Sequence, residues 1–224
     1  MEISASLLNV DYNSNENEEA TYRDTFGRLE MARIDYFHID VMDGEFVEKN
    51  TVDKMNAFSS TIKMISSIPL DVHLMVKDIK NYVDMFSDYE PRMITFQYEA
   101  DKENVKENIE YVKSKGCMVG LAINPDTKIE EIKEYLPYIH NVLIMDVFAG
   151  KGGQSFIEDT PEKIKELKEY ITENNIDISI EVDGGINYDT AEKVSQAGAD
   201  IAVVGTFLIN AIDYKYTVEE LKRK

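Results

Sequence analysis

Tyr36-Phe37-His38-Ile39-Asp40-Val41-Met42-Asp43-Gly44 and Leu70-Asp71-Val72-His73-Leu74-Met75-Val76 are two short runs in which ionisable residues alternate with apolar ones. Successive side chains on a strand point to opposite faces, so His38, Asp40 and Met42 share one face, and Asp71, His73 and Met75 share a face of the next strand. Six more short apolar, β-branched runs, at 3–8, 93–96, 118–123, 142–147, 178–182 and 201–204, bring the candidate strands to eight. Charged segments with helical spacing separate them. In 102–115, Val105, Ile109 and Val112 fall at i, i+4 and i+7, and in 161–174 Ile164, Leu167 and Ile171 fall at i, i+3 and i+7. The reading is of strand and helix alternating throughout. Parallel strands need crossover helices, and strands covered on both faces read as near-continuous apolar runs. An open doubly wound sheet would alternate too; a count of eight favours closure into an α/β (β/α)₈ TIM barrel. At 224 residues, with no Pro/Gly-rich linker, the chain reads as one domain over 1–224.

The balance of 24 basic against 43 acidic residues, a formal charge of −19, opposes attraction to nucleic acid or to anionic membranes, and neither is expected as a partner. A phosphorylated ligand would have to be held by local backbone N–H groups, helix N-termini or a metal. Cys117 is the single cysteine, which excludes an intrachain disulfide, and it reads as packing at the start of a strand. No stretch has the form of a targeting signal or approaches the ~20 apolar residues that span a bilayer, so a cytoplasmic protein is expected. The polar stretch 11–19 reads as a long loop entering a helix.

In a barrel of this type the active site lies at the C-terminal ends of the strands. His38, Asp40 and His73 are placed there, and so is Asp183, which ends the seventh strand in Glu181-Val182-Asp183-Gly184-Gly185. Two imidazoles and two carboxylates from three strands are a donor set for one divalent ion with positions left open for substrate. Any one of them alone reads equally well as a satisfied core residue; four together would be costly to bury without a shared task. The third histidine, His140, precedes its strand and reads as structural. Gly150-Lys151-Gly152-Gly153, Gly184-Gly185 and Gly205-Thr206 follow strands six, seven and eight, where barrels build phosphate sites from exposed N–H groups and a short extra helix. A small phosphorylated ligand is the expected partner.

With these residues in view, the chain resembles the ribulose-phosphate 3-epimerases, the ribulose-phosphate-binding barrel type, over nearly its whole length. The resemblance rests on Ala5-Ser6-Leu7-Leu8, His38-Ile39-Asp40-Val41-Met42-Asp43-Gly44, Leu70-Asp71-Val72-His73-Leu74-Met75-Val76, Asn124-Pro125, Gly152-Gly153-Gln154-Ser155-Phe156, Glu181-Val182-Asp183-Gly184-Gly185, and Ala197-Gly198-Ala199-Asp200 leading to Gly205. It implies that His38, Asp40, His73 and Asp183 bind a divalent metal (Zn, Fe, Mn or Co). It also implies that Asp40 and Asp183 act as base and acid on opposite faces of a ketose phosphate, exchanging roles in the reverse direction. By the same resemblance His73 and Ser6 contact substrate, and Met42, Met75 and Met145 form a collar over the planar intermediate. Interconversion of D-ribulose 5-phosphate and D-xylulose 5-phosphate by a homo-oligomer is the implied function.

Two departures bear on substrate. Where the family has Pro-Gly-Phe-Gly-Gly after strand six, this chain has Ala149-Gly150-Lys151-Gly152-Gly153, preceded by Asp146 and Phe148, which reads as an altered lid. Gln97 stands where the family typically has His. Relatives acting on allulose 6-phosphate share the metal and acid/base set, so an epimerase for another ketose phosphate, or a non-catalytic phosphosugar-binding relative, stays open.

Overall fold

A computed structural model describes residues 1–12, 19–150 and 156–224. Most of the polar stretch 11–19 and the expected site residues Lys151, Gly152 and Gly153 lie outside the described residues. Eight parallel strands, β1 (Glu2–Ser6), β2 (Tyr36–Met42), β3 (Leu70–Met75), β4 (Met93–Gln97), β5 (Met118–Ile123), β6 (Asn141–Met145), β7 (Ser179–Asp183) and β8 (Ile201–Val204), pair in chain order. β8 returns to β1 through Glu2↔Ile201 and Ala5↔Val204, closing the barrel. The helices α1 (Glu19–Met31), α2 (Val52–Ile65), α3 (Ile79–Ser87), α4 (Val105–Ser114), α5 (Thr160–Glu173), α6 (Tyr188–Ala197), α7 (Thr206–Ile209) and α8 (Tyr214–Lys222) complete the fold. The expected faces hold: Val105, Ile109 and Val112 are buried on α4, and Ile164, Leu167 and Ile171 on α5. None of the helices among the described residues is long and apolar enough to cross a membrane.

Alternation fails at one crossover. Between β5 and β6 the chain makes only two short 3₁₀ turns, Ile129–Glu131 and Leu136–Tyr138, instead of an α-helix. Pro137 explains the interruption: it has no N–H to donate and its ring crowds the preceding turn. Ile129, Ile132 and Leu136 still cover the barrel, all buried.

What orients the site is the division of each strand into an outer and an inner face. On β2, Phe37 faces outward and meets Phe26 of α1 edge-on at 5.7 Å between ring centroids, while Phe26 meets Phe58 of α2 at 5.1 Å. Burying such rings is worth a few kcal/mol each, so the outer face of β2 is strongly committed and its alternate residues are driven inward. The register then stacks the inner faces as His38↔Asp71, Asp40↔His73 and Met42↔Met75.

Barrel interiors are usually filled by branched apolar side chains. Here that holds on one side, where Ala122, Leu143, Met145 and Val203 cluster with Val147. The rest of the interior is polar: Ser4, His38, Asp71, His73, Thr95, Gln97, Asn141 and Glu181 are all buried. Their hydrogen bonds tie strands together inside the barrel. Ser4 Oγ donates to Asp71 Oδ2 (2.8 Å) and Asn141 Nδ2 donates to Glu181 Oε2 (2.7 Å). Outside this layer, His140 Nδ1 accepts the Val119 N–H at 3.0 Å, the structural use expected of it, and Cys117 is buried packing.

Candidate active site

A cavity of about 390 Å³ opens at the C-terminal ends of the strands. Its walls include Ser6, Asp40, Met42, Met75, Met145, Gly150, Asp183, Gly184, Gly185, Gly205 and Thr206, so these expected residues converge on one space. His38 and His73 lie beneath the floor, fully buried. The three methionines are at most 2% exposed and crowd the cavity as a collar.

One ligand atom each from His38, Asp40, His73 and Asp183 falls within 4.8 Å of the others. Asp40 is the hub. Its Oδ1 lies 3.5 Å from His38 Nε2 and 3.9 Å from His73 Nδ1, and its Oδ2 accepts the Ser6 hydroxyl at 2.7 Å. Both of those imidazole nitrogens are buried without a hydrogen-bond partner. A buried polar atom left unsatisfied costs about 1–3 kcal/mol; two of them aimed at one carboxylate are what a divalent ion would satisfy. Two nitrogens and two carboxylate oxygens suit Zn²⁺, Fe²⁺, Mn²⁺ or Co²⁺, and the residues present fit such an ion.

Charge separates the two catalytic candidates. Burial pushes the Asp183 carboxyl up to about 7, and the neighbouring Asp40 charge adds to this. Burial also acts upward on Asp40, but His38, His73 and the Ser6 hydroxyl outweigh it and hold this carboxyl below its ordinary value. Burial and the nearby His38 lower His73 to about 4. Burial opposes charge on His38 as well, yet Asp71 and Asp40 raise it well above the ordinary imidazole value.

Below the four lies a set the sequence reading did not assign to the site. His38 Nδ1 is 2.6 Å from Asp71 Oδ2, and a carboxyl oxygen of Glu181, on β7, lies within 4.8 Å of both. Burial and the Asp71 charge push the Glu181 carboxyl well above the ordinary carboxylate value. Asp71 had been placed on the correct face without a role, and its partners Ser4 and Glu181 are remote in sequence. Asn9 is a second omission: it lines the cavity and its Nδ2 donates to Thr206 Oγ1 at 2.7 Å, joining the loops after β1 and β8. Thr206 opens α7, the short extra helix expected there.

Packing as well as backbone conformation calls for two of these glycines. Gly184, at φ +126°, has no room for a side chain, since a Cβ there would come within 2.9 Å of Val147 Cγ1. Gly150, at φ +82°, sits similarly against Val47.

Asp146 was read with the altered lid, but it is completely buried. Its carboxylate accepts the Ile157 N–H at 3.0 Å and the Thr160 hydroxyl, fastening the end of β6 to the start of α5. Burial raises its carboxyl to about 7. Since the folded value exceeds the ordinary 3.8, its stabilising contribution is complete below about pH 4 and is lost as pH rises through 7. Asn can keep the accepting oxygen and cannot ionise. Asp146→Asn is therefore expected to gain on wild type by up to about 4 kcal/mol between pH 4 and pH 8, read from urea denaturation at several pH values; parallel stability curves would remove this role.

Comparison with known proteins agrees with the geometry. A sequence model of the ribulose-phosphate 3 epimerase family matches residues 2–209. Ribulose-phosphate 3-epimerase of Escherichia coli K12 is 33% identical over 220 residues, covering 98% of this chain and 94% of the relative. The enzyme of that name from Methanocaldococcus jannaschii is 35% identical over 222 residues, covering 99% and 90%. Among solved structures, a 3-hexulose-6-phosphate synthase superposes with a TM-score of 0.71 at 15% identity, over 100% of this chain and 99% of its own, a likeness of fold alone. With identity above 30% sustained along nearly the full length of both chains, the protein belongs to the ribulose-phosphate 3-epimerase family.

Proposed function

We propose that this chain is a metal-dependent ketose-phosphate 3-epimerase, one catalytic domain over 1–224, that interconverts D-ribulose 5-phosphate and D-xylulose 5-phosphate. The observation that carries the reading is the pair Asp40 and Asp183, on β2 and β7, facing one cavity with ligand atoms within 4.8 Å. For ribulose 5-phosphate, the Asp40 carboxylate takes the C3 proton, and the electron pair left behind forms an enediolate with the C2 carbonyl. Asp183, whose carboxyl burial pushes up to about 7, delivers a proton to C3 from the opposite face. The product is the C3 epimer, and the two groups exchange roles in reverse. Ser6 holds Asp40 in place through its 2.7 Å hydrogen bond. His38, Asp40, His73 and Asp183 would hold the divalent ion, which supplies charge stabilisation at the enediolate oxygens. The methionine collar excludes water from the planar species while adapting to its shape.

The phosphate is assigned to the Gly184, Gly185, Gly205 and Thr206 end of the cavity, with Lys151, Gly152 and Gly153 carried over from the family resemblance. A homo-oligomeric state and a cytoplasmic setting belong to the same reading and rest on that resemblance and on composition. Because Gln97 and the segment after Asp146 depart from the family pattern, the test is a panel of pentulose and hexulose phosphates in deuterated water, followed by NMR with Zn²⁺, Mn²⁺, Fe²⁺ or Co²⁺ added. Inversion and deuterium incorporation at C3 of ribulose 5-phosphate are expected. Inversion of allulose 6-phosphate instead would reassign the substrate, and ligand-induced stabilisation with no exchange in any sugar would leave a binding protein.

A further inference from the structure

The two buried imidazoles enter the centre by opposite nitrogens and are held from behind by different chemistry. His38 offers Nε2, and its Nδ1 rests against Asp71, a carboxylate that already receives the Ser4 hydroxyl. An ionised carboxylate only accepts, so the His38 proton is confined to Nδ1 and Nε2 stays open. His73 offers Nδ1, and its Nε2 faces the side-chain amide of Gln97, whose Nε2 is 3.0 Å away. A primary amide donates at one end and accepts at the other. With the NH₂ end toward the ring, His73 Nε2 accepts and the ring proton sits on Nδ1, pointing at Asp40. With the carbonyl end there, the proton moves to Nε2 and Nδ1 is open. The surroundings are those of an unfinished network: Gln97 Oε1, His73 Nδ1 and the hydroxyl of Thr95, the register partner of His73, are all buried without partners.

We infer that Gln97 is the positioning residue that decides whether His73 is available as a ligand: the amide must present its carbonyl oxygen to His73 Nε2 for Nδ1 to bind a divalent ion. Asp71 makes one imidazole permanently competent, and Gln97 makes the other conditional. This rests on the metal centre proposed above and adds a residue to it. Outer partners of ligating histidines typically affect metal affinity by 10- to 100-fold. Gln97→Glu, which accepts only, is expected to bind zinc more tightly than wild type. Gln97→Met, close in shape with no comparable acceptor, is expected to bind it at least about tenfold more weakly.

The experiment is a zinc titration of both variants and wild type against a competing chelator, with circular dichroism to verify folding, together with two-bond ¹H–¹⁵N spectra of the imidazoles. The chain has three histidines, so the spectra are assignable. His140, whose Nδ1 is tied to the Val119 N–H, serves as a reference outside the centre. In wild type, zinc is expected to move the His73 proton from Nδ1 to Nε2, while His38 keeps its proton on Nδ1 and His140 on Nε2. A His73 proton on Nε2 with and without zinc would overturn the inference, as would zinc affinities for both variants within twofold of wild type. Failure of wild type itself to bind zinc or any of the other three ions would instead remove the metal centre, and this inference with it. Should Gln97→Met not fold, Gln97→Glu and the wild-type spectra still decide the matter.

Discussion

Asp183→Asn is expected to lower turnover of ribulose 5-phosphate on the order of 10³-fold or more, the scale of losing a positioned acid–base group. The substitution preserves shape and leaves one oxygen for an ion, so the loss falls on proton delivery. A sharper signature follows from the two-face arrangement. With Asp40 intact and Asp183 unable to donate, Asp40 can still remove the C3 proton of ribulose 5-phosphate and return a solvent-derived one to the same face. Deuterium should therefore enter ribulose 5-phosphate without inversion in Asp183→Asn, and enter xylulose 5-phosphate without inversion in Asp40→Asn. Unchanged turnover in either variant would take that residue out of the mechanism.

The largest stability effect is expected at Asp71, a residue with no opening to the cavity. Asp71→Leu leaves the Ser4 hydroxyl and the His38 Nδ1–H without their shared acceptor, beside Glu181, in a region where all four side chains are buried. Removing one member of a buried charged set typically costs 3–5 kcal/mol, because the remaining groups stay desolvated and unpaired. We expect a loss of about 4 kcal/mol in urea unfolding with chelator present, and a smaller loss for Asp71→Asn, which retains an accepting oxygen. A loss under about 1 kcal/mol for Asp71→Leu would mean that the polar layer is not held together by this carboxylate.

How much of this was legible depends on the range over which each feature is encoded. The barrel follows from local patterns: the eight runs became eight strands, with no end displaced by more than two residues. Period-two alternation placed His38, Asp40 and Met42 on one face, because neighbouring residues on one strand carry that information themselves. Asp71 and Glu181 carry no readable task in the sequence, since they approach each other from β3 and β7 and no local spacing reports it. Gln97 was visible as a departure, but that it touches His73 required the β3–β4 pairing. The burial of Asp146 is not legible locally, because the groups that draw it inward, Thr160 and the Ile157 N–H, lie eleven and more residues onward. The missing helix between β5 and β6 had a readable cause in Pro137, which the overall alternation masked.

The register His38↔Asp71, Asp40↔His73, Met42↔Met75 also governs how this gene can change length. Inserting or deleting a single residue within β2 would turn Ile39 and Val41 toward the barrel axis and drive a histidine and an aspartate into the layer occupied by Phe26 and Phe58. A two-residue edit would restore the facing but slide every inner side chain one layer along the axis, separating Asp40 from His73. The chemistry is thus written in units of whole strand layers, and variation in chain length is confined to the connections between strands.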